Sequence, residues 1–440
     1  MKRAAGTWSM ASFRRVRLFR PWMLGLLAVG LSLGLLLLGP SPLASPAIAA
    51  NINFLSTQLN PIQEAEFVRQ EILRPFSRET GHNVQFLPEQ SIIDRVMAEV
   101  QAGRVSIGVI GALHGDFPLL AARNALEPLT RLEQLAGRTF VPEFLRLGQI
   151  DGQQVYAPWL QATYLMMANE KALQYLPEGA DINALTYDQL LQWAKNLYEQ
   201  TGGPKLGFPQ GPNGLFGRML HGYLYPSFTG AQVSNFASPE AVAMWEYLVE
   251  LNKYVHPSSQ IWDGMADALL FEEVWVAWDH TARLSSALNE RPDTFVVFPA
   301  PAGPKGRGFI TVLAGLGIPR GYADLDAAYA LIDHLTKPET QVKVLEGTGF
   351  FPTVTEATGY IPTGPQRKLA EAVTLQASAP DAVVALLPVG LGERTGEYVP
   401  IFRDAYQAIV IEGRPIADVL QRQNQLLEAL YRETGAPLPD

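Results

Sequence analysis

The strongest constraint on the fold lies in residues 51–110, where short apolar runs alternate with amphipathic stretches. Asn51–Thr57 reads as a strand, and Glu64–Phe76 as a helix carrying Ala65, Val68, Ile72 and Phe76 at helical spacing. Gly81, after Arg78-Glu79-Thr80, suits a left-handed helix cap. His82–Leu87 then reads as a strand, Asp94–Gln101 as a helix and Ser106–Ile110 as a third strand. Strand–helix alternation at this pace predicts an α/β fold with a mostly parallel sheet covered by helices.

The N-terminus sets the compartment. Residues 1–21 carry Lys2, Arg3, Arg14, Arg15, Arg17 and Arg20 and no acidic residue. An apolar run from Trp22 to Leu38 follows, then the turn-rich Gly39-Pro40-Ser41-Pro42 and the small-residue site Ala47-Ile48-Ala49. A basic, apolar and small-residue order is that of a secretory signal cleaved after Ala49; an uncleaved membrane anchor is the alternative. With no cysteine in the chain, disulfides, thiolate metal sites and a lipidated cysteine are excluded, so the expected product is free in a periplasm.

Residues 50–440 hold 28 basic and 43 acidic residues, a formal charge of −15. Nucleic acid and anionic lipid both require a basic surface, so neither is an expected partner. This stretch is too long for one hydrophobic core and divides most simply into two lobes.

Further along, Val155–Trp159 is extended, and Pro158 keeps its predecessor out of the helical region, which suits a passage between lobes. A strand over Thr163–Ala168 follows. Thr186-x-x-Gln189 is a capping box, and Ser238-Pro239-Glu240 supplies an N-cap, an N1 proline and a dipole-matched acid. Residues 202–230, rich in Gly, Pro and aromatics, read as a long loop with a short helix around 216–223. A second passage is expected near 274–279. Strands are expected at 295–298 and 310–318, and helices at 325–335, 338–345, 401–411 and 416–430.

Several of these segments, in order, resemble the family 1 extracellular solute-binding proteins of ABC importers, the maltose-binding-protein-like group. They are Asp151–Pro158 with Tyr164–Lys171, Phe236–Ala241, Val274–Asp279 and Val297–Gly306. Two positions depart from the family pattern: Ser106 stands where an aspartate is usual, and Asn169-Glu170 where Asn-Lys is common. The resemblance implies two α/β lobes, each a mostly parallel sheet flanked by helices, closing by a hinge on a ligand in the cleft. It implies residues 50–157 plus 279–335 as the first lobe and 158–278 plus 336–440 as the second. It also implies a monomer that delivers a small molecule to the membrane subunits of a permease, with no cofactor, metal or catalysis.

A sugar offers apolar C–H faces and a rim of hydroxyls, so its site needs aromatic platforms and directional polar groups. Candidates on the first lobe are Gln58, His114 and Asp116, at the carboxyl ends of strands, where open α/β sheets bind ligands. Trp159, Gln161 and Tyr164 lie in the first passage, and Trp278, Asp279, His280 and Arg283 at the second. Phe216 lies in the Gly/Pro-rich loop, and Arg394, Glu397 and Tyr398 precede the helix at 401. By the resemblance, Trp278 and Tyr398 are the nearest matches to sugar-stacking rings. Glu64 and Glu66 read as first-turn helix residues.

The expected ligand is a mono- or oligosaccharide, with a polyamine or polyol as the alternative on the same fold. A secreted hydrolase is the more distant rival. No G-x-S-x-G elbow, H-E-x-x-H motif or phosphate loop is present, and the adjacent Glu272-Glu273 cannot share one face of a helix or strand.

Overall fold

The computed structural model describes residues 49–439 except Ile361. The expected signal therefore lies, but for its last residue, outside the described residues. Among the described residues no helix is long and apolar enough to cross a membrane.

Twelve strands are described: β1 (Asn51–Ser56), β2 (Asn83–Pro88), β3 (Ile107–Leu113), β4 (Gln149–Ile150), β5 (Gln153–Gln154), β6 (Ala157–Ala162), β7 (Tyr164–Asn169), β8 (Leu206–Gly207), β9 (Val276–His280), β10 (Phe295–Phe298), β11 (Arg307–Gly317) and β12 (Ala382–Leu386). The first sheet has the order β12-β11-β3-β1-β2, with β6 also on β11. β1 lies parallel to both β2 and β3. Its Ile52 and Phe54 enter one apolar cluster and Leu55 another, so burial on both faces explains its uninterrupted apolar run. The helix at 62–80 buries Ala65, Val68, Ile72 and Phe76 against this sheet and ends on Gly81 at φ 78°, as the spacing predicts. Asp151 (φ 50°) and Gly152 (φ 75°) form the left-handed turn of the β4–β5 hairpin.

The second sheet has the order β10-β7-β9-β8. It departs from the expected parallel pattern, since β7 is antiparallel to both β9 and β10 and only β8–β9 is parallel. One face carries the large cluster around Trp193, Tyr223, Trp245 and Phe402, and the other a smaller one around Leu165, Leu269 and Leu288. The capping box at Thr186 and the Ser238 cap both form.

The chain passes between the two lobes three times. First, β6 ends in the first sheet and β7 starts in the second, with only Thr163 between them. Second, β11 runs from one lobe into the other: Phe309 and Ile310 pack in the second lobe's core, Ala314 and Leu316 in the first lobe's. Third, the chain leaves the first lobe after the turn of helix Thr355–Thr358 and enters the second by the helix Gln366–Ala377, whose Leu369 and Ala372 pack under β10.

The return passage expected at 274–279 is therefore displaced. β9 continues into the helix Thr281–Glu290 and β10, both on the second sheet, and the return happens inside β11. Residues 338–354 likewise belong with the first lobe, because Val344, Phe350 and Val354 pack in its core.

Thr163 ties the first two passages together. Its hydroxyl donates to the Ile310 carbonyl of β11 (2.8 Å) and lies 3.0 Å from the Tyr223 hydroxyl. It accepts from Gln376 Nε2 (3.1 Å). Gln376 in turn accepts from the Ala300 N–H (2.9 Å), and the Tyr223 hydroxyl bonds the backbone of Tyr164.

Candidate functional site

Between the lobes, the first contributes the end of β3 and the first turn of the helix at 62–80. The second contributes the start of β7, the end of β9, and the first turns of the helices at 216–229 and 281–290. Strand termini and helix starts converge here because both sheets end at the same gap, the usual place for a ligand in open α/β architectures.

The centre is a nest of rings. Tyr164 lies flat on Trp278, 4.7 Å between centroids with 6° between planes. Tyr223 meets both edge-on, at 5.9 and 5.2 Å. His280 stands edge-on to Tyr164 at 5.2 Å, and Phe350 of the first lobe approaches His280 to 5.3 Å. Trp278 is fully buried, and its indole N–H has no partner among the described residues. Alternation along β9 sends Val276 and Trp278 into the large cluster and Ala277 into the opposite one.

Asp279 is a clamp. Its carboxylate accepts from the N–H groups of Met265 and His280, both at 2.7 Å, and stands 3.8 Å from Arg283 one turn on. Burial lifts its pKa to about 6, Arg283 and the two N–H bonds holding it from going higher. Arg283 also donates to the Asp263 carbonyl. His280 caps its helix by accepting from the Ala282 N–H through Nδ1 (3.2 Å), and burial, reinforced by Arg283 and Arg218, lowers its pKa to about 3. The ring is neutral at any ordinary pH.

Two cavities lie between the lobes. The larger, about 850 Å³, lies between Pro61, Gln63, Glu64, Gly347 and Thr348 on the first lobe and Trp262, Asp263, Gly264, Arg283, Ser286 and Asn289 on the second. Burial pushes the Glu64 carboxyl up to about 7 against the pull of Arg283. The smaller, about 80 Å³, lies between Leu113, Gly115 and Asp116 on one side and Arg218, Tyr398 and Val399 on the other. Asp116 accepts from the Leu113 N–H (3.2 Å), and burial raises its carboxyl to about 6. His114 is buried, with neither ring nitrogen in a well-formed hydrogen bond; burial lowers its pKa.

The structure thus brings together Tyr164, Trp278, Asp279, His280 and Arg283 on one side, and His114, Asp116 and Tyr398 on the other. It places the remaining candidates elsewhere. Trp159 sits in the first lobe's core with its ring edge-on to Phe54 at 5.4 Å. Gln161 donates to the Pro352 carbonyl (3.1 Å), and Gln58 donates to Thr57 Oγ1 (2.9 Å) within its own turn. Phe216 packs against Tyr406 (4.8 Å) and Phe208 (5.6 Å) in the second core. Arg394 pairs with Glu397 (2.8 Å) and Glu433 (2.7 Å) on the surface. Glu64, Arg218 and Trp262 are cleft residues that sequence reasoning missed. The signal for Glu64 was its place just beyond the carboxyl end of a first-lobe strand. Among the described residues no cluster of three or more His, Cys, Asp or Glu side chains could hold a metal.

A family model described as bacterial extracellular solute-binding protein matches residues 71–367. Among solved structures, the GacH receptor of Streptomyces glaucescens, studied unliganded and with acarbose, superposes with a TM-score of 0.71 at 16% identity, covering 88% of this chain and 99% of that one. Maltose-bound MalE3 of T. maritima superposes at 0.70 with 20% identity, covering 87% and 100%. UgpB of Mycobacterium tuberculosis, in complex with glycerophosphocholine, gives 0.69 and 17%, covering 87% and 98%. No curated protein matches in a sequence search. At these identities the structures speak for the fold, while the family model runs from the first helix of one lobe to the helix of the third passage. The chain belongs to the bacterial extracellular solute-binding proteins.

Proposed function

We propose that this protein captures a carbohydrate between its lobes and delivers it to an ABC permease, without catalysing a reaction. Export to a periplasm by a cleaved signal and a monomeric state belong to the same reading. The observation that carries it is the cavity of about 850 Å³ between the lobes, where Trp262, Pro61 and Ala282 stand among the directional polar groups of Gln63, Glu64, Asp263, Arg283 and Asn289. Solved structures of the same fold supply support: one was studied with acarbose, one is bound to maltose, and one is named a chitin oligosaccharide binding protein. Glu64, Asp116, Arg218 and Arg283, which line the cavities, and His280 are the side chains placed to meet the ligand. Trp278 backs Tyr164, and Asp279 positions Arg283.

The arrangement disfavours a polyamine. Both Asp279 oxygens are occupied by backbone donors, and burial holds Glu64 and Asp116 toward their protonated forms. Calorimetry with mono- and disaccharides, polyols and polyamines on the chain from residue 50 tests the reading. Micromolar or tighter binding of a saccharide is expected, and tight binding of a polyamine with no saccharide bound would overturn it.

A further inference from the structure

Arg218 lies in the first turn of the helix at 216–229, half-buried at the wall of the smaller cavity. Among the described residues it forms no ion pair, whereas Arg283, the other cleft arginine, is held by Asp279 and the Asp263 carbonyl. Its guanidinium faces the Tyr164 hydroxyl and is close enough to His114, His221 and His280 to oppose their protonation. Burial first, and Arg218 after it, disfavours the charged form of all three imidazoles. Asp116, across the cavity, attracts Arg218 without reaching ion-pair distance, and one of its oxygens accepts from the Leu113 N–H. A guanidinium carries five donors in a fork that matches a carboxylate or phosphate, and half-burying it without an anion costs free energy that an anionic partner returns.

We infer that the ligand is an anionic saccharide, bearing a carboxylate or phosphate that seats on Arg218 beside Tyr164 and Asp116. This rests on the carbohydrate reading above and narrows it. The neutral part of the ligand extends toward the larger cavity, and the acidic group points to the smaller one. Protonated Asp116 donates to that group, and the ionised form repels it, so the acid group binds best when Asp116 holds its proton.

The test is a matched calorimetric series on the chain from residue 50 and on Arg218→Gln: galactose against galacturonate, glucose against glucose 6-phosphate, and the corresponding disaccharide pairs. Wild type should bind one acidic member at least about tenfold more tightly than its neutral counterpart, the scale of one charge-assisted contact. Arg218→Gln should reduce that preference to within about threefold, with a melting temperature close to wild type. Arg218→Lys should retain part of the preference, since charge remains while the fork is lost. The carboxylate and phosphate arms say which group is read. Equal binding of acidic and neutral members by wild type, or an undiminished preference in Arg218→Gln, overturns the inference and leaves the carbohydrate reading standing. Binding of no saccharide in either arm overturns both.

Discussion

Thr163→Val is the sharpest probe of how the lobes are joined. The substitution keeps shape and burial but deletes one hydroxyl, which donates to Ile310 O, pairs with the Tyr223 hydroxyl and accepts from Gln376 Nε2. Tyr223 and Gln376 each keep another bond, to the backbone of Tyr164, so neither is wholly stranded. The Ile310 carbonyl loses the one side-chain donor it has among the described residues. Three buried bonds at about 1 kcal/mol each, discounted for the surviving partners, give a loss of about 2–3 kcal/mol. Urea unfolding followed by tryptophan fluorescence measures it. Thr163→Ser keeps the hydroxyl and drops a methyl group, so it should lose only about 1 kcal/mol. A Val variant within about 0.5 kcal/mol of wild type, or a Ser variant as weak as Val, would refute the idea that this hydroxyl ties the two passages.

Other expectations follow from the cleft. Trp278→Ala removes a fully buried ring stacked on Tyr164 and should cost about 3–5 kcal/mol of stability, so any affinity it loses must be measured well below its lowered melting point. For Asp279, a folded pKa of about 6 against the ordinary 3.8 means its contribution favours the folded state below pH 4 and is lost as pH rises through 6. Asp279→Asn should accordingly gain on wild type by roughly 2–3 kcal/mol between pH 4 and pH 7, and a pH-independent difference between the two melting curves would contradict this. Glu64, raised to about 7 from the ordinary 4.5, favours the folded state below pH 4.5 and loses that contribution as pH rises through 7; Glu64→Gln should flatten that slope in melting curves between pH 4 and 8. Arg394→Ala breaks only surface pairs and should leave affinity within twofold and stability within about 0.5 kcal/mol.

Local chemistry made helix ends legible in both lobes. Gly81, the Thr186 capping box and the Ser238 cap each act within a few residues of themselves, so their sequence spacing suffices. The return passage was not legible, because β9 is buried on both faces and such a run reads alike whether a strand crosses or stays. Phe216 illustrates a second limit: aromatics in a Gly/Pro-rich stretch mark a site or a core equally, and here the ring faces Tyr406. Glu64 and Arg218 look like solvated first-turn charges until the fold sets Glu64 against Arg283 and Arg218 against Tyr164. The parallel expectation for the second sheet failed because long excursions separate β7, β9 and β10 and leave strand direction free.

The continuous run of β11 through both lobes also bears on the order in which the chain can mature. Its partners span nearly the whole sequence: Leu113 of β3 pairs with Ala314, Ala162 of β6 with Val312, and Ala382 of β12 with Arg307. Neither core can be completed by an N-terminal fragment, since the strand that both share comes late and its outer neighbour later still. Such long-range closure is slow relative to local structure. A nascent chain of this kind stays open until its last third has been made, the condition in which a polypeptide can be threaded through a membrane before it folds.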